Sequence, residues 1–155
     1  MEAGFAERSA MIRRSAARLC WRLGWSCLHE VRLPSGRRAD ILALRPDGSF
    51  ACIEVKSGVR DFVADRKWHE YRDHADALYF AVDPDFPIDL LPAGPGVIVA
   101  DADHAEILRP AEAHRLAPAR RRMLLHRFAT LAADRLGAVD DPAGFAETRG
   151  VPRVE

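Results

Sequence analysis

Apolar and polar positions alternate with different periods along the chain, and each change of period predicts an element. From about Ala6 to Leu23, Met11, Ile12, Ala16, Leu19, Cys20 and Leu23 recur at helical spacing, with Arg13, Arg14, Arg18 and Arg22 mostly on the other sides. Gly24 stands where such a helix ends. Trp25 to Leu33, Arg38 to Leu44 and Ser49 to Val55 read as three strands. They are separated by Pro34-Ser35-Gly36 and Pro46-Asp47-Gly48, residues suited to tight turns. After Ser57-Gly58 the period becomes helical again. Asp61 is a candidate N-cap, and Ala64, Trp68, Tyr71 and Ala75 form one stripe. Ala77 to Val82 is almost wholly apolar, which suits a buried central strand.

The stretch from Asp83 to Gly96 is proline-rich and reads as a surface loop. Val97 to Asp101 and His104 to Leu108 follow as short strands. Pro118 to Leu136 is a third amphipathic helix, carried by Met123, Leu124, Phe128, Leu131 and Leu136. Beyond Gly137 the period is lost, and residues 137–155 are expected to form a flexible tail to a single domain spanning residues 6–136. The order is α-β-β-β-α-β with a β-β-α extension, a mixed α/β (α+β) fold.

Composition narrows the class. In 155 residues, 48% are apolar and 30% charged, as in a globular protein with a real core. Net charge is zero, so affinity for a polyanion must come from local patches. Of 23 basic residues only Lys56 and Lys67 are lysine, which singles out both. Cys20, Cys27 and Cys52 form no C-x-x-C pair and sit in apolar contexts, which predicts reduced thiols in a cytoplasmic protein. No apolar run approaches the roughly 18 residues of a membrane span. The N-terminus carries Glu2 and Glu7 among its arginines, so it reads as the first helix of the fold and not as a targeting segment.

Candidate chemistry concentrates where polar groups interrupt strands. If Pro34-Ser35-Gly36 sets Arg32 against Arg38, then Glu30 faces Asp40. If Pro46-Asp47-Gly48 closes a three-residue loop, Arg45 faces Ser49 and Asp40 faces Glu54. Two strips result on one face, Glu30-Asp40-Glu54 and Arg32-Arg38-Lys56. Three carboxylates so close repel unless a cation lies among them, and hard oxygen donors favour magnesium or manganese. A lysine beside the cation can position water or stabilise phosphate charge, and Arg32 and Arg38 suit phosphate clamps. The plainer alternative is a solvated sheet face bearing ordinary cross-strand ion pairs.

At this point the residues resemble the PD-(D/E)XK nuclease superfamily, which has the same element order and a restriction-endonuclease-like core. Asp40 matches its first acid, Glu54 the second and Lys56 the lysine, while Ala39 replaces the proline of the motif's name. The resemblance implies that the Val55 carbonyl also binds metal and that a further acid comes from Glu7 or Glu30. More specifically, the chain resembles the MmcB-like family of bacterial DNA repair proteins. The segments that carry this are Gly36-Arg37-Arg38-Ala39-Asp40, Ile53-Glu54-Val55-Lys56-Ser57, Asp65-Arg66-Lys67-Trp68 with Glu70-Tyr71, Tyr79-Phe80-Ala81-Val82 and Val99-Ala100-Asp101, within roughly residues 8 to 136.

The implied activity is a magnesium- or manganese-dependent deoxyribonuclease acting in the cytoplasm on branched, single-stranded or damaged nucleoid DNA, alongside other repair proteins. A catalytically silent module that grips such DNA for a partner is the alternative. Lys67 is a further candidate on the second helix, as are Arg120, Arg121 and Arg122 for tracking a DNA backbone; both also read as solvated helix faces. Trp68 and Tyr71 are expected either to pack on the sheet or to line the DNA groove.

Overall fold

The fold was described from a computed structural model, in which residues 2–65 and 67–148 are placed. The chain divides into two units, Met1–Ala117 and Pro118–Glu155. The first holds helix α1 (Glu2–Arg22) and strands β1 (Ser26–Arg32), β2 (Arg38–Leu44) and β3 (Phe50–Val55). Helix α2 (Val59–Ala64), a 3₁₀ helix at Trp68–His74 and strands β4 (Ala77–Val82), β5 (Gly96–Ala100) and β6 (Ala105–Arg109) follow. The six strands form one sheet in chain order. β1, β2 and β3 are antiparallel, β3, β4 and β5 run parallel, and β6 returns antiparallel on β5. The two antiparallel hairpins followed by a crossover into parallel strands give the restriction-endonuclease-like core, with a C-terminal helical extension.

Alternation along the strands assigns the two faces of the sheet. Ile41, Ala43, Ala51, Ile53, Ala77, Tyr79, Ala81, Ile98 and Ala100 pack with Ile12, Ala16, Leu19 and Cys20 of α1. The many alanines under the helix let it lie close. Ser15 Oγ donates to the His104 carbonyl at 3.1 Å and Arg22 to that of Ala105 at 2.9 Å, tying α1 to the far edge. Phe80, Val82, Phe86, Leu91 and Val97 form a second cluster with Phe62 and Trp68. Asp76, with 1% of its surface exposed, clasps the sheet to the segment after β6. Its carboxylate accepts the amides of Phe50 at 2.8 Å and Leu116 at 2.9 Å.

Both turns set the expected registers. Arg32 lies opposite Arg38, and Ile41 opposite Ile53, which brings Asp40 level with Glu54. The Leu33 amide bonds the Arg37 carbonyl at 2.7 Å and the Arg45 amide that of Ser49 at 2.8 Å. Gly36 (φ 86°) and Gly48 (φ 83°) supply the left-handed residues that close these loops.

The expected second helix is divided. Gly58, extended and without a side-chain cap, stands at the N-cap position of α2, and Asp61 lies inside the first turn. Asp61 instead accepts the Ser57 amide at 3.2 Å. Asp65 accepts the Lys67 amide at 3.2 Å, a local side-chain bond that competes with the helical ladder and ends it. Trp68 and Tyr71 therefore sit on the separate 3₁₀ helix.

The second unit contains α3 (Pro118–Asp140) and α4 (Pro142–Thr148). Residues from Gly137 to Thr148, expected as tail, are thus mostly helical. The Asp141 carboxylate accepts the Gly144 amide at 3.1 Å and Pro142 begins α4, a regular helix start. The rest of the expected tail, 149–155, lies outside the described residues, as does Arg66.

Candidate active site

A pocket of about 420 Å³ opens at the ends of β2 and β3. Asp40, Glu54, Val55, Lys56, Glu30 and Arg38 line it, together with Ala6, Ser9, Ala10 and Arg13 of α1, Asp61, Asp65 and Tyr71. At its floor the ladder between β2 and β3 is continued by side chains. The Asp40 amide donates to Glu54 Oε1 at 3.2 Å, and the Val55 amide to Asp40 Oδ2 at 2.8 Å. Each acid is thereby fixed to the backbone of the other strand.

Burial and mutual repulsion make this pair unwilling to ionise. Burial first, and then the charge of Asp40, push Glu54 up to about 8. Asp40 is also raised, chiefly by burial, although the Val55 amide and the Lys56 charge pull the other way. Tyr71 is raised by burial and by Glu54, and its hydroxyl donates to the Arg38 carbonyl at 3.3 Å.

Lys56 does not extend a row with Arg32 and Arg38, as the sequence suggested. β3 ends at Val55, and the Lys56 amide bonds the Ala81 carbonyl on β4 at 2.9 Å. Its ammonium meets Asp65 Oδ2 at 2.8 Å. Burial raises Asp65, but its bond to Lys56 and the ammonium's charge outweigh this and hold the carboxyl below its ordinary value. Arg37 reaches Asp65 at 3.6 Å and Glu70 at 2.7 Å, and lies over the Tyr71 ring.

Glu30 lies at the rim. Its φ of 51° takes it out of regular strand alternation, and its carboxylate meets Arg13 at 3.3 Å and Arg38 at 3.8 Å. Two guanidinium groups thus flank the opening. Arg32 is exposed on β1, while Glu7 is exposed on α1 and does not line the pocket. Lys67 is exposed just before the 3₁₀ helix and contributes its amide, not its side chain, to Asp65. Arg120, Arg121 and Arg122 stand in the first turns of α3, in the second unit.

Strand pairing did not identify Asp65, Asp61 or Arg13 as pocket residues, and for Tyr71 the sequence left core packing and groove lining both open. Asp65 and Tyr71 belong to the strings that carried the family resemblance, so a signal existed for them. For Arg13 there was only its position on the polar side of α1.

The donor set fits a hard divalent cation in part. Asp40 and Glu54 each have one carboxylate oxygen engaged by a backbone amide, and the Val55 carbonyl lies beside them in the chain. Magnesium is often held by one or two carboxylates and several waters. Among the described residues, no group of three or more His, Cys, Asp or Glu side chains is arranged to hold a metal.

A profile described as DNA repair protein MmcB-like matches residues 1–143. The chain belongs to the MmcB-like family. The MmcB-like chain is also similar to a solved structure, the SPO1766 protein of unknown function from Silicibacter pomeroyi. The two are 42% identical with a TM-score of 0.83, over 94% of this chain and 97% of that one. No curated protein matches the sequence. Among the described residues of this MmcB-like protein, no helix is long and apolar enough to cross a membrane.

Proposed function

We propose that this MmcB-like protein is a divalent-cation-dependent nuclease that hydrolyses DNA phosphodiester bonds during repair. The observation that carries the reading is the Asp40–Glu54 pair, a half-buried and a buried carboxylate, both raised chiefly by desolvation, inside an open polar pocket. Such a pair is costly for the fold alone, and functional sites are where that cost recurs. Asp40, Glu54 and the Val55 carbonyl would hold magnesium or manganese. A cation there supplies Lewis-acid activation of water and neutralises charge on the phosphate.

The chain's own groups do the rest. The backbone bonds to Asp40 and Glu54 fix both carboxylates before substrate arrives. Lys56 adds a fixed positive charge to the pocket, which favours the more highly charged phosphorane over the ground-state diester. In the reaction a water oxygen forms a bond to phosphorus and gives up a proton to solvent, the bond to the leaving oxygen breaks, and that oxygen takes up a proton from solvent. Arg13 and Arg38 at the rim are placed to bind flanking phosphates, with Glu30 orienting both and not serving as a ligand. Arg32, Lys67 and Arg120 to Arg122 are further proposed DNA contacts, made in the cytoplasm on nucleoid DNA.

The test is a cleavage panel of duplex, single-stranded, branched and lesion-bearing DNA with magnesium or manganese, run beside Lys56→Ala. Wild type should cut at least one substrate and the variant none, although circular dichroism shows the variant folded. The second reading, a silent DNA-gripping module, is favoured by the lack of a three-ligand cluster among the described residues. It predicts binding without cutting and indifference to Lys56→Ala.

A further inference from the structure

Lys56 lies two residues from Glu54 and lines the same pocket, yet its ammonium is held elsewhere. Its side chain is 6% exposed and its only ion pair among the described residues is with Asp65, itself 14% exposed. Asp65 is fixed in turn by two further contacts, the Lys67 amide at 3.2 Å and Arg37 at 3.6 Å, and Arg37 is itself held by Glu70 at 2.7 Å. This anchored carboxylate sits where α2 breaks, at the edge of the same pocket. A flexible ammonium in a pocket with two carboxylates has an obvious alternative partner. It could settle between Asp40 and Glu54 and neutralise them, as a resident counter-ion that a divalent cation would have to displace.

We infer that Asp65 is a positioning residue that holds the Lys56 ammonium away from Asp40 and Glu54, and so keeps the carboxylate pair open to a divalent cation. The inference rests on the reading of that pair as a cation site. Breaking the tether converts Lys56 from neighbour to competitor. The cation's affinity then falls without loss of any of its ligands.

Isothermal titration of Mn²⁺ alone into the full chain, with folding checked by circular dichroism, tests this. Asp65→Asn, nearly isosteric, should weaken Mn²⁺ binding by about tenfold. Asp65→Glu, which keeps the carboxylate, should recover most of the affinity. Asp65→Asn combined with Lys56→Met should bind within about threefold of Lys56→Met alone, because the competitor is gone. Unchanged binding in Asp65→Asn overturns the inference, as does a double variant as weak as Asp65→Asn, which would make Asp65 a ligand.

If Asp65→Asn does not fold, Lys56→Met alone decides. With the ammonium already held off, its removal should change affinity by less than about threefold, and a tightening beyond about tenfold would overturn the inference. Wild type that binds no Mn²⁺ removes the cation site itself, a failure distinct from wild type and Asp65→Asn binding alike.

Discussion

Replacing Glu54 with glutamine tests the electrostatics of the pocket without reference to any substrate. Glutamine keeps a carbonyl oxygen able to accept the Asp40 amide that Glu54 now accepts. Burial and Asp40 raise the Glu54 carboxyl from 4.5 to about 8 in the folded protein. As pH rises between these values the unfolded chain releases this proton first, so the folded state binds more protons and stability falls. Each unit of difference is worth about 1.4 kcal/mol. The loss therefore reaches about 3 kcal/mol by pH 7 and about 4–5 kcal/mol above pH 8, where it levels off. Asp40, raised by the same cause, adds a loss of the same sign in wild type.

Urea unfolding of wild type and Glu54→Gln between pH 5 and 9, in EDTA, measures the difference between the two profiles. The variant should match wild type near pH 5 and become progressively more stable above it. Parallel profiles would refute the claim that Glu54 is buried without adequate compensation. Millimolar magnesium should recover part of the wild-type loss at pH 8 and little in the variant.

Two other predictions follow from contacts at the start of β3 and around the pocket at its end. Asp76→Ala leaves the buried amides of Phe50 and Leu116 without their carboxylate acceptor, and should cost about 2–4 kcal/mol in urea unfolding; a loss below 1 kcal/mol would show that water replaces it. Arg13→Ala should weaken binding of duplex or branched DNA by about fivefold and reduce the salt dependence by roughly one ion equivalent, measured by fluorescence anisotropy across salt concentrations. Binding unaffected at every salt concentration would leave Arg13 as a partner of Glu30 alone.

The parts of this structure that were legible in the sequence are those set by local chemistry. Pro34-Ser35-Gly36 and Pro46-Asp47-Gly48 dictate loop length, loop length dictates register, and register alone brings Asp40 level with Glu54. The limits lie where tertiary bonds override a periodic pattern. Of the expected stripe of Ala64, Trp68, Tyr71 and Ala75, Tyr71 and Ala75 are buried and Trp68 partly so, while Ala64 is exposed. The helix is nevertheless broken at Asp65, whose carboxylate is engaged by Lys56 and the Lys67 amide. Reading Asp65 as a breaker required knowing that Lys56 points towards it.

Glu30 is similar. Its level with Asp40 follows from pairing, but its left-handed backbone, uncommon for a residue other than glycine, turns the carboxylate to Arg13 and Arg38. The start of α4 carried a legible mark in Asp141-Pro142, an N-cap acid before a first-turn proline, set in a stretch whose composition otherwise resembles a tail.

The central claim is that Asp40 and Glu54 together hold the cation that cuts DNA. Cleavage by wild type and Asp40→Asn, in magnesium, in manganese and in EDTA, tests it most directly. Strand scission by wild type that requires the divalent ion, and that falls at least a hundredfold in a folded Asp40→Asn, is the predicted result. Cutting by Asp40→Asn at the wild-type rate, or no cutting of any DNA by wild type in either metal, would contradict it.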